Sequence, residues 1–497
     1  MHKTLIDKIL AQANTTPYAP AFIFQGKILN YRRLLAAISV IAKHFYDKGI
    51  RPGDVVGVSM SKSPLHCFTV IALARLGAVS VPLTPKLEGR TLDTLIEQYN
   101  ILAIVSTWDR QVQLKKGLIT LNSLKISGDE SNLDFIDYWP TSKTPLRVAM
   151  TSGTTDYSKG VLYNNEDFVQ RMDRTIYMVD SSSRLLPPDF HISLSIFFSM
   201  GVLCNGGVIV IPDKYDMHSL IHAINTFGVT HLIMAPANMV NIASAFTDTG
   251  IALPSLKHLR LVGATPSPAL LKSLVTCCSP NVYVPYGLTE LGPISMATPE
   301  ILVNHPDSAG HVLPWVTVEV VDHNGLPVPA GYTGEIRVTL DSMPEDYYNE
   351  NKKSDCKFKK GWFYPGDIGH VDPDGLLFIH GRTDNLLNIG GHKISAEKIE
   401  SILLEYPLLE DVAVFVNPDE EVDQVLVAAV VAPRKIEFDK LARYSLKKLQ
   451  LLSPRSFIQV ATLPRNSAGK LLRDQLELLI HNKNKNKDKD LDNDIKH

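Results

Sequence analysis

Residues 149–161 read Ala-Met-Thr-Ser-Gly-Thr-Thr-Asp-Tyr-Ser-Lys-Gly-Val. Thr151, Ser152, Thr154 and Thr155 offer hydroxyl donors, and Gly153 and Gly160 let the main chain approach an anion closely. Lys159 adds a cation suited to the outer phosphates of a nucleotide. By itself such a stretch is more often a plain surface connector. Asp156, in its middle, is a poor neighbour for polyphosphate, because two like charges a few ångströms apart repel by about 1 kcal/mol even when solvated. Neither Gly-x-x-x-x-Gly-Lys-Ser/Thr nor Gly-x-Gly-x-x-Gly occurs anywhere in the chain. Met60-Ser61-Lys62-Ser63 and Asp367-Ile368-Gly369-His370 mimic the two signature motifs of class I tRNA synthetases, but in reversed order and with the first abutting an apolar helix.

Four further segments give the stretch its company. Tyr286-Gly287-Leu288-Thr289-Glu290 follows an apolar run. Gly361-Trp362-Phe363-Tyr364-Pro365-Gly366-Asp367 comes next, and a third, from Gly381-Arg382-Thr383-Asp384 to Gly390-Gly391-His392-Lys393-Ile394, follows. The last is Leu463-Pro464-Arg465-Asn466-Ser467-Ala468-Gly469-Lys470. In this order and at these separations the set resembles the adenylate-forming superfamily of acyl-CoA synthetases, nonribosomal adenylation domains and firefly-type luciferases, over about residues 5 to 480. Any one segment is moderate evidence, whereas all of them in register make chance a poor explanation.

The resemblance implies roles for the matching positions. Thr151 to Gly160 would form the triphosphate loop, and Tyr286 would stack on adenine, with Gly263 and Ala264 passing the main chain along the base. Thr289 would touch the α-phosphate, and Glu290 would hold Mg²⁺, a hard cation that takes carboxylate oxygen. Asp367 would accept both ribose hydroxyls beside Arg382. Lys470 would bridge the attacking carboxylate and the α-phosphate. Asp384 would be the hinge of a rotating C-terminal domain, and residues 388–393, Gly391 and Lys393 among them, would line a pantetheine tunnel. The implied cofactors are ATP, Mg²⁺ and coenzyme A.

The chain also departs from the family pattern. Asp156 replaces a glycine and Ser158 a proline in the phosphate loop, and Pro365 stands where a threonine is usual. Phe198 occupies the place where amino-acid-activating members carry an aspartate for the substrate ammonium, and the histidine that many acyl-CoA synthetases have there is expected to be missing. Gly287 stands where acetate-specific members have tryptophan, which implies room for a larger acid. Phe197, Phe198, Ala235, Asn238, Met239, Val262 and Met296 are candidate pocket walls, although such residues also fill ordinary cores.

Elements must position these groups. Between residues 20 and 290, short apolar β-branched runs (55–60, 79–82, 101–106, 146–150, 208–211, 231–235, 259–263, 282–285) alternate with helical patterns (64–76, 219–227, 268–277). That texture predicts parallel sheets covered on both faces, with ligands beyond the carboxyl ends of strands. After residue 300, runs separated by Asp-His-Asn-Gly and Asp-Pro-Asp-Gly predict antiparallel hairpins of a small β-barrel. Residues 384–480 read as a small α+β unit, and 481–497 as Asn/Lys/Asp low complexity too polar to order itself. The expected fold class is therefore α/β: two doubly wound subdomains plus the barrel over 1–381, a mobile α+β domain over 382–480, and a disordered tail.

Composition sets the outer limits. A chain of 497 residues with 45% hydrophobic content and a formal net charge of −2 is an ordinary globular protein with no global bias towards nucleic acid or membranes. Its five cysteines include no Cys-x-x-Cys pair and read as free thiols. The N-terminus is a short amphipathic pattern without a signal-type apolar core, so a cytoplasmic protein with no membrane span is expected. The leading reading is an ATP-dependent ligase joining an apolar carboxylic acid larger than acetate to CoA. A second keeps the adenylation but passes the acyl group to a separate phosphopantetheinyl carrier protein or an amine. A third is a nucleotide- or acyl-binding homologue whose catalysis Asp156 has weakened.

Overall fold

The computed structural model describes all residues except 1–3, 61, 86, 109–113, 122–130, 151–158, 177, 241, 243–252, 350–356, 384–385, 390–391, 417–425, 466–470, 473–474 and 477–497. The side chains of 277, 386–389, 392–394 and 451 also lie outside the description. The expected disordered tail falls within the excluded residues.

Two large sheets dominate. The first has six strands in the order Leu118–Thr120, Ala103–Ser106, Val55–Ser59, Val79–Pro82, Pro145–Met150 and Gly160–Asn164, parallel except for the last pair. Val56 and Val58 point into one core with helices Tyr31–Asp47 and Pro64–Leu76, whereas Val55, Val79 and Val81 point into another with helix Gly89–Tyr99. Alternate residues of each strand are thus buried on opposite faces, which is why these strands read as unbroken apolar runs. Helix Pro64–Leu76 opens with proline at its first turn and stops at Gly77, whose φ of 70° closes it in the left-handed conformation. A Cβ on Gly77 would sit 2.3 Å from the Tyr138 hydroxyl, so the residue is fixed sterically as well.

The second sheet joins fifteen strands among the described residues. Its centre is parallel: Val282–Leu288, His258–Leu261, His231–Met234, Arg184–Leu186, Val208–Ile211 and Pro20–Phe24 run side by side. From Val282–Leu288 outward the strands turn antiparallel, through Gly292–Ala297, Gly310–Val312, Leu376–Arg382, Asp367–Val371 and Gly334–Leu340. The hairpins expected after residue 300 are present, but instead of closing a separate barrel among the described strands they extend the edge of this sheet. The physical reason is Gly310–Val312, which pairs on both sides and so bridges the parallel centre to the antiparallel wing.

Asp411–Val416, Leu426–Val431 and Ser456–Gln459 form a third sheet, packed against helices Ala396–Leu404 and Phe438–Leu449. Ser395 caps the first of these helices by accepting from the Lys398 main-chain N–H, and its hydroxyl also donates to the His380 carbonyl. That double use ties the small sheet's leading helix to strand Leu376–Arg382. No described helix is long and apolar enough to cross a membrane. Cys67, Cys204 and Cys278 are free thiols.

Gly310 offers a test of the bridging strand. Its φ is +88°, and a Cβ there would lie 1.9 Å from the Met296 carbonyl oxygen. Gly310→Ala should lower unfolding free energy by more than about 2 kcal/mol. An unchanged urea midpoint would show that this strand does not join the two halves of the sheet.

Candidate active site

A cleft of about 2880 Å³ opens where the two large sheets and the small C-terminal sheet meet. Its lining includes residues just past strand ends, among them Thr84, Pro187, Tyr215, Ala235 and Gly263, the position where open α/β sheets place ligands. Gly263 has a φ of 92°, a turn conformation that suits glycine, and with Ala264 it forms part of the lining.

One wall is built on a hairpin. Asp367 and Arg382 are directly opposite in the pairing of Asp367–Val371 with Leu376–Arg382. The register aligns them, and Arg382 Nη1 lies 3.4 Å from Asp367 Oδ1. The hydroxyl of Tyr286, which arrives on a different strand, donates to Asp367 Oδ2. Burial first, and the neighbouring Asp367 charge second, push the Tyr286 phenol well above its ordinary pKa, so it is a donor at all working pH values. Three positions separated by nearly a hundred residues thus meet around one buried carboxylate.

Glu290 stands a few residues further along the Tyr286 segment. Its carboxylate accepts from the Tyr347 hydroxyl at 2.6 Å, and its main-chain carbonyl accepts from the Tyr163 hydroxyl at 2.7 Å. The Lys159 ammonium lies 5.1 Å from the centre of the Tyr347 ring, close enough for a cation–π contact. Tyr347 therefore links the lysine of the Ser/Thr-rich stretch to Glu290. Arg171, on helix Asn165–Thr175, donates to the Thr289 carbonyl and holds the main chain of this turn from behind. No group of three or more metal-ligating side chains occurs among the described residues. Glu290 supplies a single carboxylate, an oxygen donor of the kind a hard divalent cation takes.

Several expected site residues fall outside the described residues: Thr151, Ser152, Gly153, Thr154, Thr155, Asp384, Gly391 and Lys470, together with the Lys393 side chain. The residues flanking 466–470 are described. Arg465 and Leu471 pair in an antiparallel bridge, both line the cleft, and Arg465 forms an ion pair with Asp411 at 2.7 Å.

The expected acid pocket needs correction. Phe198, Ala235, Asn238, Val262 and Gly287 line the cleft, but Phe197, Met239 and Met296 are not among its lining residues. Phe197 is buried to 1% exposure, with its ring 4.5 Å from that of Phe168. Successive residues of helix Ser193–Cys204 point about 100° apart, so Phe198 can reach the cleft while Phe197 packs inside. Met239 is fully buried in the core behind the parallel strands. Gly287 is bare for a different reason from the one its position suggested: a Cβ would lie 2.5 Å from the Gly292 carbonyl oxygen, so the paired strand excludes any side chain there.

The cleft also contains charged groups to which the adenylate-forming motifs assign no role. Lys62 donates to the Pro187 carbonyl and lies 3.6 Å from the centre of the Tyr215 ring. His191 sits 3.1 Å from Asp189, so a cleft histidine is present just ahead of helix Ser193–Cys204, seven residues before the position where it was expected to be missing. Arg260 lies on strand His258–Leu261 two residues before Val262, and both line the cleft. The period of two along a strand was the available signal for Arg260.

The chain is 26% identical to the indoleacetate–CoA ligase of Aromatoleum aromaticum, over 95% of this chain and 97% of that one. Its fold matches that of the o-succinylbenzoate CoA synthetase MenE of Bacillus subtilis, solved with an acyl-adenylate intermediate, with a TM-score of 0.83 at 23% identity over 95% of this chain and 97% of that one. It also matches the amide bond synthetase McbA of Marinactinospora thermotolerans, with a TM-score of 0.84 at 20% identity over 96% and 99% of the two chains. Residues 9–348 match the model of the AMP-binding enzyme family. This chain is an enzyme of that family.

Proposed function

We propose that the enzyme activates an organic acid larger than acetate as its acyl-adenylate, releasing pyrophosphate from ATP, and then transfers the acyl group to the thiol of CoA. The observation that carries this reading is the meeting of Tyr286, Asp367 and Arg382 in one cleft with Lys159, Tyr347 and Glu290. The first group suits a ribose and base, and the second suits a magnesium-bound polyphosphate. The acid class is supported by the relatives, since indoleacetate and o-succinylbenzoate are both aromatic acids larger than acetate.

In this reading Asp367 accepts the ribose hydroxyls, with Arg382 holding its carboxylate in place, and the Tyr286 ring and the Gly263–Ala264 main chain flank adenine. Lys159 and the hydroxyls of Thr151, Ser152, Thr154 and Thr155, with the main chain at Gly153, gather the outer phosphates. Thr289 reaches the α-phosphate. Glu290 would hold Mg²⁺, which would lower the charge repulsion between nucleotide and acid. Lys470 contacts both the acid carboxylate and the α-phosphate as a carboxylate oxygen attacks phosphorus in line and the bond to pyrophosphate breaks. The CoA thiol, having lost its proton, then attacks the acyl carbon and AMP leaves. Residues 382–480 act as a lid that turns about Asp384 between the two steps, exchanging the Lys470 segment for the stretch containing Gly391 and Lys393. Residues 1–381 form the main body.

Pyrophosphate exchange into ATP across a panel of carboxylic acids, followed by thioester detection with CoA, tests the whole scheme. Exchange and thioester are both expected. Exchange without thioester would move the acceptor to a carrier protein or an amine, and binding of nucleotide without exchange would point to lost catalysis. Lys470→Ala should cut exchange by about 10²-fold or more while largely sparing thioester formation from supplied acyl-adenylate; equal losses in both steps would remove the lysine from its role. A second pair of variants addresses the nucleotide. Asp367→Asn should weaken AMP by at least about tenfold in calorimetry, because a charged acceptor is lost. Tyr286→Phe keeps the ring and frees the carboxylate from a competing donor, so its AMP affinity should hold or rise. Weaker AMP binding by the phenylalanine variant would contradict the assignment.

A further inference from the structure

Helix Asn165–Thr175 begins directly after strand Gly160–Asn164, which itself follows the Ser/Thr-rich stretch. Two residues of this unit meet. The Arg171 guanidinium donates to the Tyr163 hydroxyl, and that hydroxyl donates to the Glu290 main-chain carbonyl at 2.7 Å. The guanidinium also donates to the Thr289 carbonyl and, at 3.5 Å, to that of Leu288. Three consecutive carbonyls, where strand Val282–Leu288 turns back into Gly292–Ala297, are thus all met by one pair of side chains.

The pair is itself held in place. The buried Arg171 guanidinium lies 4.2 Å from the centre of the Phe197 ring and 5.0 Å from that of Tyr163, and the two rings meet edge to face at 5.4 Å. Phe197, which does not line the cleft, is therefore the platform for the guanidinium. A guanidinium laid on a ring keeps its N–H edge in one plane, so its donors address fixed positions. Gly292, where the turn re-enters the sheet, has a φ of 86°, and a Cβ there would come within 3.3 Å of Arg171 Nε. Two carboxylates act at the same place: Glu290, which accepts from the Tyr347 hydroxyl, and Asp167 on the Arg171 helix. Burial above all raises the Tyr163 phenol, against the pull of Arg171 and with Glu290 and Asp167 adding to it. The hydroxyl therefore keeps its proton and can accept from the arginine while donating to the turn.

We propose that Arg171 is a positioning residue for the reaction: together with Tyr163 it fixes the main chain of residues 288–290 so that Thr289 meets the α-phosphate of the nucleotide. The inference rests on the adenylating function proposed above and adds to it a residue outside the motif segments. Charge-assisted donors on successive carbonyls restrict the turn to one conformation, and a contact to phosphate is worth most when its geometry is set before the ligand arrives. The ribose end is built separately, since Asp367 takes its donors from Arg382 and Tyr286. Loss of the arginine clamp is therefore felt at the phosphate and not at the ribose.

Adenosine and AMP differ by one phosphate, so calorimetry of the full chain with each of them isolates this contact. The wild-type enzyme is expected to prefer AMP. Arg171→Met, which keeps an apolar side chain against Phe197, should cut that preference by at least about tenfold while leaving adenosine affinity within about twofold. Arg171→Lys, which keeps the charge, should restore part of the preference. A merely structural arginine would cost both ligands alike. Equal losses for the two ligands, a preference that survives Arg171→Met, or a wild-type enzyme without the preference each overturn the inference and leave the proposed function standing. A wild-type enzyme that binds neither ligand overturns the proposed function and this inference with it. Should Arg171→Met fail to fold, Tyr163→Phe decides the matter in the same assay. It deletes one hydroxyl and should lower the AMP preference by about threefold or more, and an unchanged preference overturns the inference.

Discussion

A carboxylate cannot be buried without company, and the architecture on the cleft side follows from the company that Asp367 keeps. At 5% exposure it needs donors for both oxygens and a positive charge nearby. Arg382 supplies the charge from across a hairpin, and Tyr286 supplies the second donor from another strand. Removing either partner would leave a buried anion short of donors, so the segments that carry these residues must stay in register. The Asp-Pro-Asp-Gly turn fixes that register: Gly375 takes a φ of 81°, and the Asp372 carboxylate accepts from the Leu376 main-chain N–H. Gly369, inside the same hairpin, accommodates a close approach, since a Cβ there would lie 2.0 Å from the Phe378 carbonyl oxygen.

A second interaction does for the Lys159–Glu290 end of the cleft what this one does for the Asp367 end. Tyr347 is buried to 6% exposure and spans Lys159 and Glu290, using its ring for one and its hydroxyl for the other. Tyr348 beside it donates its main-chain N–H to the Gly160 carbonyl and stacks on Tyr99. Two consecutive tyrosines thus anchor the segment after Gly334–Leu340 onto the strand that follows the Ser/Thr-rich stretch. The two large sheets are joined at this point, and a cation and a carboxylate of the cleft are held by the same contact.

How much of this was legible beforehand depended on the range of the interaction. Helices Pro64–Leu76 and Pro268–Cys277 have the bounds their patterns predict, because proline starts and apolar periodicity are local signals. The hairpin turns were equally readable. The barrel was not: closure depends on which edge a strand pairs with, and Gly310–Val312 pairs on both edges for reasons its three residues do not display. Asp367, Arg382 and Tyr286 could be named as neighbours only through a family resemblance, since nothing in their local sequence says that they meet. Phe197 and Met239 were misplaced because hydrophobic type does not separate a pocket wall from a core. Arg260 and Tyr347 were passed over because neither stands in the motif segments, although an arginine inside a short strand buried on both faces is a legible anomaly.

The Asp367 end of the cleft is also where the small sheet is seated. Ser395 caps helix Ala396–Leu404 and donates to the His380 carbonyl, two residues before Arg382. Gly381, between them, has a φ of 142° and leaves no room for a Cβ, which would meet the Ser395 side chain at 2.1 Å. The helix that leads the small sheet is therefore seated on the strand that positions the Asp367 counter-charge. Any rotation of the small sheet about a nearby pivot must break the Ser395 hydrogen bond, which also serves a helix cap. In the proposed scheme this contact ties occupation of the ribose site to movement of the small sheet. It does so through one hydroxyl and one glycine, so the coupling is short in range and needs no path through the core.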